Sequence, residues 1–406
     1  MADKVILAYS GGVDTSVAIH WLKENYGLDV ITLIIDVGNE KDFTQIQEKA
    51  LKVGASKALI KHVQGEFVRD YVFPALQADA LYEGQYPLAT ALNRPLIDKL
   101  LVEVAREEGA SAVAHGCTGK GNDQVRFDIG IISLAPDLKI IAPAREWGMT
   151  REETIAYAKK YDIPLPVTSS SPYSIDECLW GKAIECGILE DPWVEPPEDA
   201  FTWTVSLDKT PDKPEYVEIE FEQGIPVVVN NKKMDGVSLI QYLNELAGKH
   251  GFGRIDVIED RVVGIKSREI YEAPAALLLL QAHKALQAMT LSRDQLRFKQ
   301  IVAIEYADLV YNGFWFSTFH QDLTAYVKNT QRFVSGTVRC KLFKGSSLVV
   351  GRKSPNSLYS FALATYDKGD EFKQSDSAPF IRLLGLPVKI QAQVLQKMEQ
   401  KGKNKG

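Results

Sequence analysis

The sequence predicts an α/β protein: a parallel sheet wrapped by helices, then an α+β region, then a terminal helix. Three observations carry this. From residue 4 to about 165, short apolar strands alternate with amphipathic helical stretches, the pattern of a parallel sheet covered on both faces. Pro164, Pro166 and Pro172, with Ser169-Ser170-Ser171 among them, break that rhythm. Beyond them, alternating strands mix with long helices and the βαβ order is lost. We therefore divide the chain into residues 1–168, 169–385 and 386–406. The length of 406 residues suits about two or three domains.

Element by element, Val5–Ala8 reads as a buried strand, followed by the turn Gly11-Gly12 and a helix striped by Val17, Ala18, Trp21 and Leu22. Val30–Ile35 is a near-continuous apolar run ending at Asp36, as in a buried parallel strand. Ala58–Val63, Ser111–Ala114 and Leu138–Ala142 are further strands. Phe67, Val68, Tyr71, Val72 and Leu76 mark a helix between them. Leu96, Ile97, Leu100, Leu101 and Val104 mark another, with Pro95 expected as its first residue. Thr150-Arg151-Glu152-Glu153 is a capping box opening the next helix. In the second half, strands are expected at Phe201–Leu207, Tyr216–Phe221 and Val227–Val229, with a turn at Asn230-Asn231. Arg254–Ile258 and Arg261–Ile265 are expected to form a hairpin, and further strands fall near Arg332–Phe343 and Leu348–Val350. Helices are expected at Ser238–His250, Pro274–Met289 and Asp294–Tyr311. Ile390, Val394 and Met398 stripe a last helix over 388–399, which either clasps another subunit or packs on its own domain.

Composition narrows the function. Hydrophobic residues are 45% and charged residues 25% of the chain, ordinary for a globular protein. A formal net charge of -6 argues against a nucleic-acid partner. Cys117, Cys178, Cys186 and Cys340 have no zinc-like spacing, and a reduced, cytoplasmic setting is expected. The longest apolar run, Ala273–Leu280, is too short to span a bilayer, so no membrane partner is expected. The histidines have no metal-ligand spacing. Trp180, Trp193 and Trp203 are expected to anchor packing.

The chemistry lies first in Ala8-Tyr9-Ser10-Gly11-Gly12-Val13-Asp14-Thr15-Ser16. A helix N-terminus carries unpaired N–H groups and partial positive charge, which makes it an anion site. Two glycines permit positive φ and close backbone approach, and Ser10, Thr15 and Ser16 add hydroxyls. No Walker Gly-x-x-x-x-Gly-Lys-Ser/Thr occurs there. The missing lysine points to a pyrophosphate gripped by backbone and hydroxyls. The second constellation is His115-Gly116-Cys117-Thr118-Gly119-Lys120-Gly121-Asn122-Asp123-Gln124-Val125-Arg126-Phe127. On a helix starting near Gly121, Asn122 and Arg126 share a face beside Asp123. Arg forks a carboxylate, Asp accepts from an ammonium and Asn does either, a set suited to amino-acid zwitterions. A solvated loop carrying an Asp123–Arg126 surface pair is the alternative.

The first segment resembles the pyrophosphate loop of the N-type ATP pyrophosphatases. With the second, and with Pro172-Tyr173-Ser174, Leu189-Glu190-Asp191-Pro192-Trp193 and Gly264-Ile265-Lys266-Ser267-Arg268 to Tyr271-Glu272, the chain resembles the argininosuccinate synthases. The resemblance implies an ATP-pyrophosphatase domain, then a synthetase domain and a C-terminal helix. It implies ligation of citrulline and aspartate with ATP cleaved to AMP and pyrophosphate, Mg²⁺ accompanying the nucleotide, and a homotetramer. It assigns Ala8, Tyr9, Ser10, Gly11, Gly12, Val13, Asp14, Thr15, Ser16, Ile35 and Gly116 to ATP. Thr118, Asn122 and Asp123 fall to aspartate; Tyr86, Asn122, Arg126, Ser174, Glu259 and Tyr271 fall to citrulline. Metal ligands are left open, with Asp14 a candidate, and no general acid or base is assigned. Ala91 and Ala183 stand where many members carry a hydroxyl, and Thr90 is a candidate to replace the first. Two rivals are a tRNA sulfur transferase using Cys117 and Cys178, and a nucleotide-binding regulator without turnover.

Overall fold

The computed structural model describes residues 3–39, 41–164 and 173–403. Two compact units divide the chain, Met1–Asn356 and Ser357–Gly406. Most of the break expected between Pro164 and Pro172 lies outside the described residues.

The first unit opens with β1 (Lys4–Ala8), β2 (Asp29–Asp36), β3 (Lys57–His62), β4 (Ala112–Ala114) and β5 (Lys139–Ile141). They pair in parallel in the order β3-β2-β1-β4-β5. Side chains alternate between the faces. Val5 and Leu7 join Ala18, Ile19 and Leu22 on one side, while Ile6 joins Leu92, Leu96 and Leu100 on the other. The central strand is β1, and the chain builds outward from it in both directions. The loops after β1 and β4 therefore diverge and leave a crevice at the strand carboxyl ends, where ligands bind in such sheets.

Helix α1 (Val13–Tyr26) starts directly behind the glycine turn, and α2 (Phe43–Val53) is capped by the Asp42 side chain accepting from the Gln45 N–H. The expected capping box at Thr150 is present. Pro95 does not open its helix. That helix runs Ala89–Glu108, with Pro95 inside it, and Leu88 (φ 61°) turns the chain into it. Proline sacrifices one hydrogen bond there, offset by the burial of Leu92, Leu96, Leu100 and Leu101 along the same helix.

Among the described residues nine more strands follow: β6 (Ser174–Cys178), β7 (Gly181–Glu185), β8 (Glu215–Glu222), β9 (Ile225–Val229), β10 (Lys232–Lys233), β11 (Arg254–Asp260), β12 (Lys266–Glu272), β13 (Gly336–Phe343) and β14 (Ser346–Lys353). They form two antiparallel sheets, β11-β12-β7-β6 and β10-β9-β8-β13-β14. Helices Gly236–Lys249, Pro274–Thr290 and Arg293–Tyr311 match the three expected. Asn230 and Asn231, at φ 48° and 64°, make the expected turn.

Three expectations are corrected. Residues 201–207 form no strand, because the Glu272 carboxylate takes the N–H groups of Thr202, Trp203 and Thr204 at 2.8–3.0 Å in place of a neighbouring strand. Arg261–Ile265 is the hairpin turn rather than its second strand. Gly264 sits at φ 83°, the Arg261 N–H reaches the Ile265 carbonyl at 2.8 Å, and pairing runs from Arg254↔Glu272 to Asp260↔Lys266. Trp193 is 95% exposed and anchors no packing among the described residues, whereas Trp180 is buried. A further helix, Thr318–Thr330, was not anticipated: it buries His320, Val327 and Thr330, too few apolar residues to make a stripe.

The second unit contains helices Ser377–Leu384 and Leu386–Lys403, the latter containing the expected 388–399 segment. Val388, Ile390, Val394 and Met398 on it are exposed.

Candidate active site

The pyrophosphate-type loop follows β1. Gly11 takes φ 80°, open to glycine at little cost, and a Cβ there would also meet Ile46 of α2 at 3.1 Å. Gly12 does not use the left-handed region. It is extended at φ -69°, ψ 174°, and a Cβ there would press on the Ser10 hydroxyl at 3.3 Å. The Gly12 N–H points to Ser10 Oγ at 3.3 Å, and Thr15 Oγ1 lies 3.2 Å from the same oxygen. Ser16 is fully buried and donates to the Gly12 carbonyl at 2.7 Å, with Tyr9 Oη at 2.9 Å. Its hydroxyl therefore braces the loop from behind.

The β4 loop faces this turn. Gly116 must be glycine, because a Cβ would lie 2.7 Å from the Thr15 methyl. His115 holds the loop: its Nδ1 accepts from the Cys117 N–H at 3.3 Å, and its Nε2 donates to Asp128 at 2.9 Å. Between the two loops opens a cavity of about 520 Å³. Ala8, Tyr9, Ser10, Gly12, Val13, Asp14, Thr15, Ile35, Gly116, Asp123 and Ser174 all line it, as do Asn39, Lys41, Arg94, Asp176 and Glu177. A larger groove of about 760 Å³ runs along helix Arg293–Tyr311, away from these loops.

Asp123 opens the helix Asp123–Leu134 and joins the cavity to a buried network. It accepts from Arg94 at 2.6 Å and from Arg126 at 2.9 Å, and Arg94 also pairs with Asp176. Burial alone would raise the Asp123 carboxyl, but the two guanidinium groups hold it well below the usual carboxylate range. The Asp123–Arg126 contact therefore exists, with Arg126 only 4% exposed rather than on the surface. Arg126 donates from Nε to the Tyr311 carbonyl at 2.7 Å and stacks over the Tyr311 ring at 4.7 Å.

Tyr311 donates to Glu259 at 2.5 Å, Tyr271 donates to the other oxygen at 2.7 Å, and Asn122 donates to the Tyr311 hydroxyl at 2.7 Å. Tyr271 stacks on Tyr86 with ring centres 4.1 Å apart, and Tyr82 stacks on Tyr311 at 3.5 Å. Tyr86 Oη lies 3.0 Å from the Thr90 hydroxyl. Ala183 pairs in register with Tyr271. Burial pushes the Glu259 carboxyl above its ordinary range, opposed by the two phenol donors.

The structure thus gathers Tyr86, Asn122, Asp123, Arg126, Glu259 and Tyr271 into one network and the loop residues with Ser174 around one cavity. Gly11 and Ser16 support the loop from outside the cavity lining, and Thr118 is exposed beside it. Arg94, Tyr311 and Tyr82 were missed. Arg94 lies within a helical run with no motif of its own, and Tyr311 is the last residue of a helix nearly 190 residues from its partner Asn122. The paired-cysteine rival loses its chemistry. All four cysteines are free, and burial pushes the Cys117 and Cys178 thiols up, Cys178 to about 12, the opposite of an activated thiolate.

A glycine anion loop at the switch point of a parallel sheet, facing a charged and aromatic second site, defines a nucleotide-binding α/β enzyme. The model of the arginosuccinate synthase N-terminal HUP domain matches residues 4–164, and that of the arginosuccinate synthase C-terminal domain matches residues 173–391. An argininosuccinate synthase of Dehalococcoides mccartyi is 62% identical over 405 residues, covering 100% of both chains. Those of Symbiobacterium thermophilum and Listeria monocytogenes are 56% and 55% identical, covering 96% and 98% of this chain and 98% of each relative. The chain belongs to the argininosuccinate synthase family. No helix among the described residues is long and apolar enough to cross a membrane.

Proposed function

We propose that this chain condenses citrulline with aspartate to argininosuccinate while ATP is cleaved to AMP and pyrophosphate. The observation that carries the reading is the shared cavity. The Ser10 loop, Arg94 and Asp123 open onto one space, so a nucleotide and a zwitterion can be held side by side. ATP lies with its β- and γ-phosphates in the Ser10–Ser16 turn and its base toward Ile35 and Gly116. Aspartate is held by Thr118, Asn122 and Asp123. Citrulline is held by Tyr86, Asn122, Arg126, Ser174, Glu259 and Tyr271, with Thr90 supplying a hydroxyl.

The ureido oxygen of citrulline attacks the α-phosphorus and the bond to the bridging oxygen breaks, releasing pyrophosphate into the loop. The aspartate ammonium gives a proton to a phosphate oxygen, the free amine then attacks the isourea carbon, the carbon–oxygen bond breaks, and AMP leaves carrying the citrulline oxygen. Asp123, kept ionised by Arg94 and Arg126, orients the ammonium of aspartate. The residues fit Mg²⁺ bound chiefly by phosphate and water. Asp14 is exposed beside the loop and lines the cavity, an oxygen donor placed to meet the ion's water shell. When bound, the ion neutralises β-phosphate charge. We further propose a cytoplasmic homotetramer with the division 1–168, 169–385 and 386–406. The exposed apolar side chains of the last helix support the assembly.

The test is pyrophosphate release with citrulline and aspartate each omitted, followed by mass spectrometry with citrulline carrying heavy ureido oxygen. Label in AMP and none in argininosuccinate is expected. Product formed with unlabelled AMP refutes the adenylated intermediate.

A further inference from the structure

The loop lacks a Walker lysine, yet a lysine stands behind it. Lys49, on α2, donates from Nζ to the Gly11 carbonyl at 2.8 Å. It is half-buried, and burial lowers its pKa. Among the described residues no carboxylate pairs with it within 4 Å, in contrast to Lys57 or Lys99 of the same domain. A cation withdrawn from water without a counter-ion is costly, and an anion on the far side of the loop would offset that cost.

The geometry gives the contact a second consequence. A trans peptide is planar, so the Gly11 carbonyl and the Gly12 N–H point in opposite directions. With the carbonyl tied to Lys49, the N–H faces the cavity side, where it now meets Ser10 Oγ at 3.3 Å. A peptide between two glycines turns over with little steric resistance, and the turned-over form would present a carbonyl oxygen to the phosphate. Ile46, one turn before Lys49, packs under Gly11 and fixes α2 against the loop.

We propose that Lys49 is a positioning residue for pyrophosphate: it locks the Gly11–Gly12 peptide with its N–H toward the phosphate and supplies positive charge from behind. This rests on the reading of the Ser10 loop as the pyrophosphate site.

The full-length enzyme tests it by pyrophosphate product inhibition and by steady-state kinetics in ATP, citrulline and aspartate. Lys49→Met is expected to weaken pyrophosphate binding and ATP kcat/KM roughly ten- to a hundred-fold. The KM values for citrulline and aspartate stay near wild type, and Lys49→Arg recovers most of the loss. A merely structural role would depress all three substrates together, and that result overturns the proposal. Ser10→Ala separates the layers. If Ser10→Ala weakens pyrophosphate and Lys49→Met does not, Lys49 has no such role. If neither does, the loop reading itself fails. Should Lys49→Met not fold, Lys49→Gln carries the same reading: a loss selective for pyrophosphate supports the lock, and wild-type inhibition overturns it.

Discussion

The Ser10–Ser16 loop and the Asp123–Arg126–Glu259 network are built on opposite plans. The loop is seven consecutive residues acting through backbone N–H groups and small hydroxyls, and only Asp14 among them carries charge. The network draws on five remote stretches of chain and acts through ionised and aromatic side chains buried against one another. Damage to the loop is therefore local and steric. Damage to the network is shared, because each group satisfies its neighbours.

The largest effect is expected at the loop. Val at position 12 can adopt φ -69°, ψ 174° without strain, so Gly12→Val should fold while its branched side chain fills the space where phosphate approaches. Pyrophosphate release is expected to fall below detection, with the melting temperature little changed. A folded Gly12→Val enzyme turning over at the wild-type rate would remove the loop from the active site.

The next effect probes whether the network is one unit. Asp123→Ala is expected to raise KM for aspartate, and Arg126→Ala KM for citrulline, each roughly ten- to a hundred-fold. Because the two side chains touch at 2.9 Å, the double variant should depart from additivity by about 0.5–3 kcal/mol. Strict additivity would show two independent pockets and break the comparison.

The smallest effect sharpens it. Glu259 titrates above the ordinary glutamate range because it is buried. Protonation as pH falls removes the charge that strengthens both phenol hydrogen bonds and so weakens the Tyr271–Glu259–Tyr311 contact. The kcat/KM for citrulline is thus expected to decline on the acid side at a higher pH than a free glutamate would give. Glu259→Gln should lose a few-fold in rate and flatten that limb. A limb unchanged in the variant would assign the titration to another group.

The two regions also differ in how far they were legible before folding. The alternation of strands and helices, the Gly11-Gly12 turn and the Thr150 capping box are local. Hydrophobic period and backbone chemistry write them into contiguous residues, so the sequence by itself determined the parallel sheet and the anion loop at its edge. Several members of the network could be named from the resemblance, but their joining could not be read. Arg94 comes from a helix interior, Tyr311 from a helix end and Glu259 from a strand, and no periodicity connects them. Phe201–Leu207 has the look of a strand, and only the Glu272 carboxylate, arriving from β12, decides otherwise. Likewise, the spacing of Asp123 and Arg126 leaves a surface pair open as an alternative, and only Tyr311 and Arg94, closing over them, exclude it. Local structure follows from torsional preference and side-chain period over a few residues. Burial, charge pairing and pKa follow from which distant groups exclude water together, and only the tertiary structure decides that.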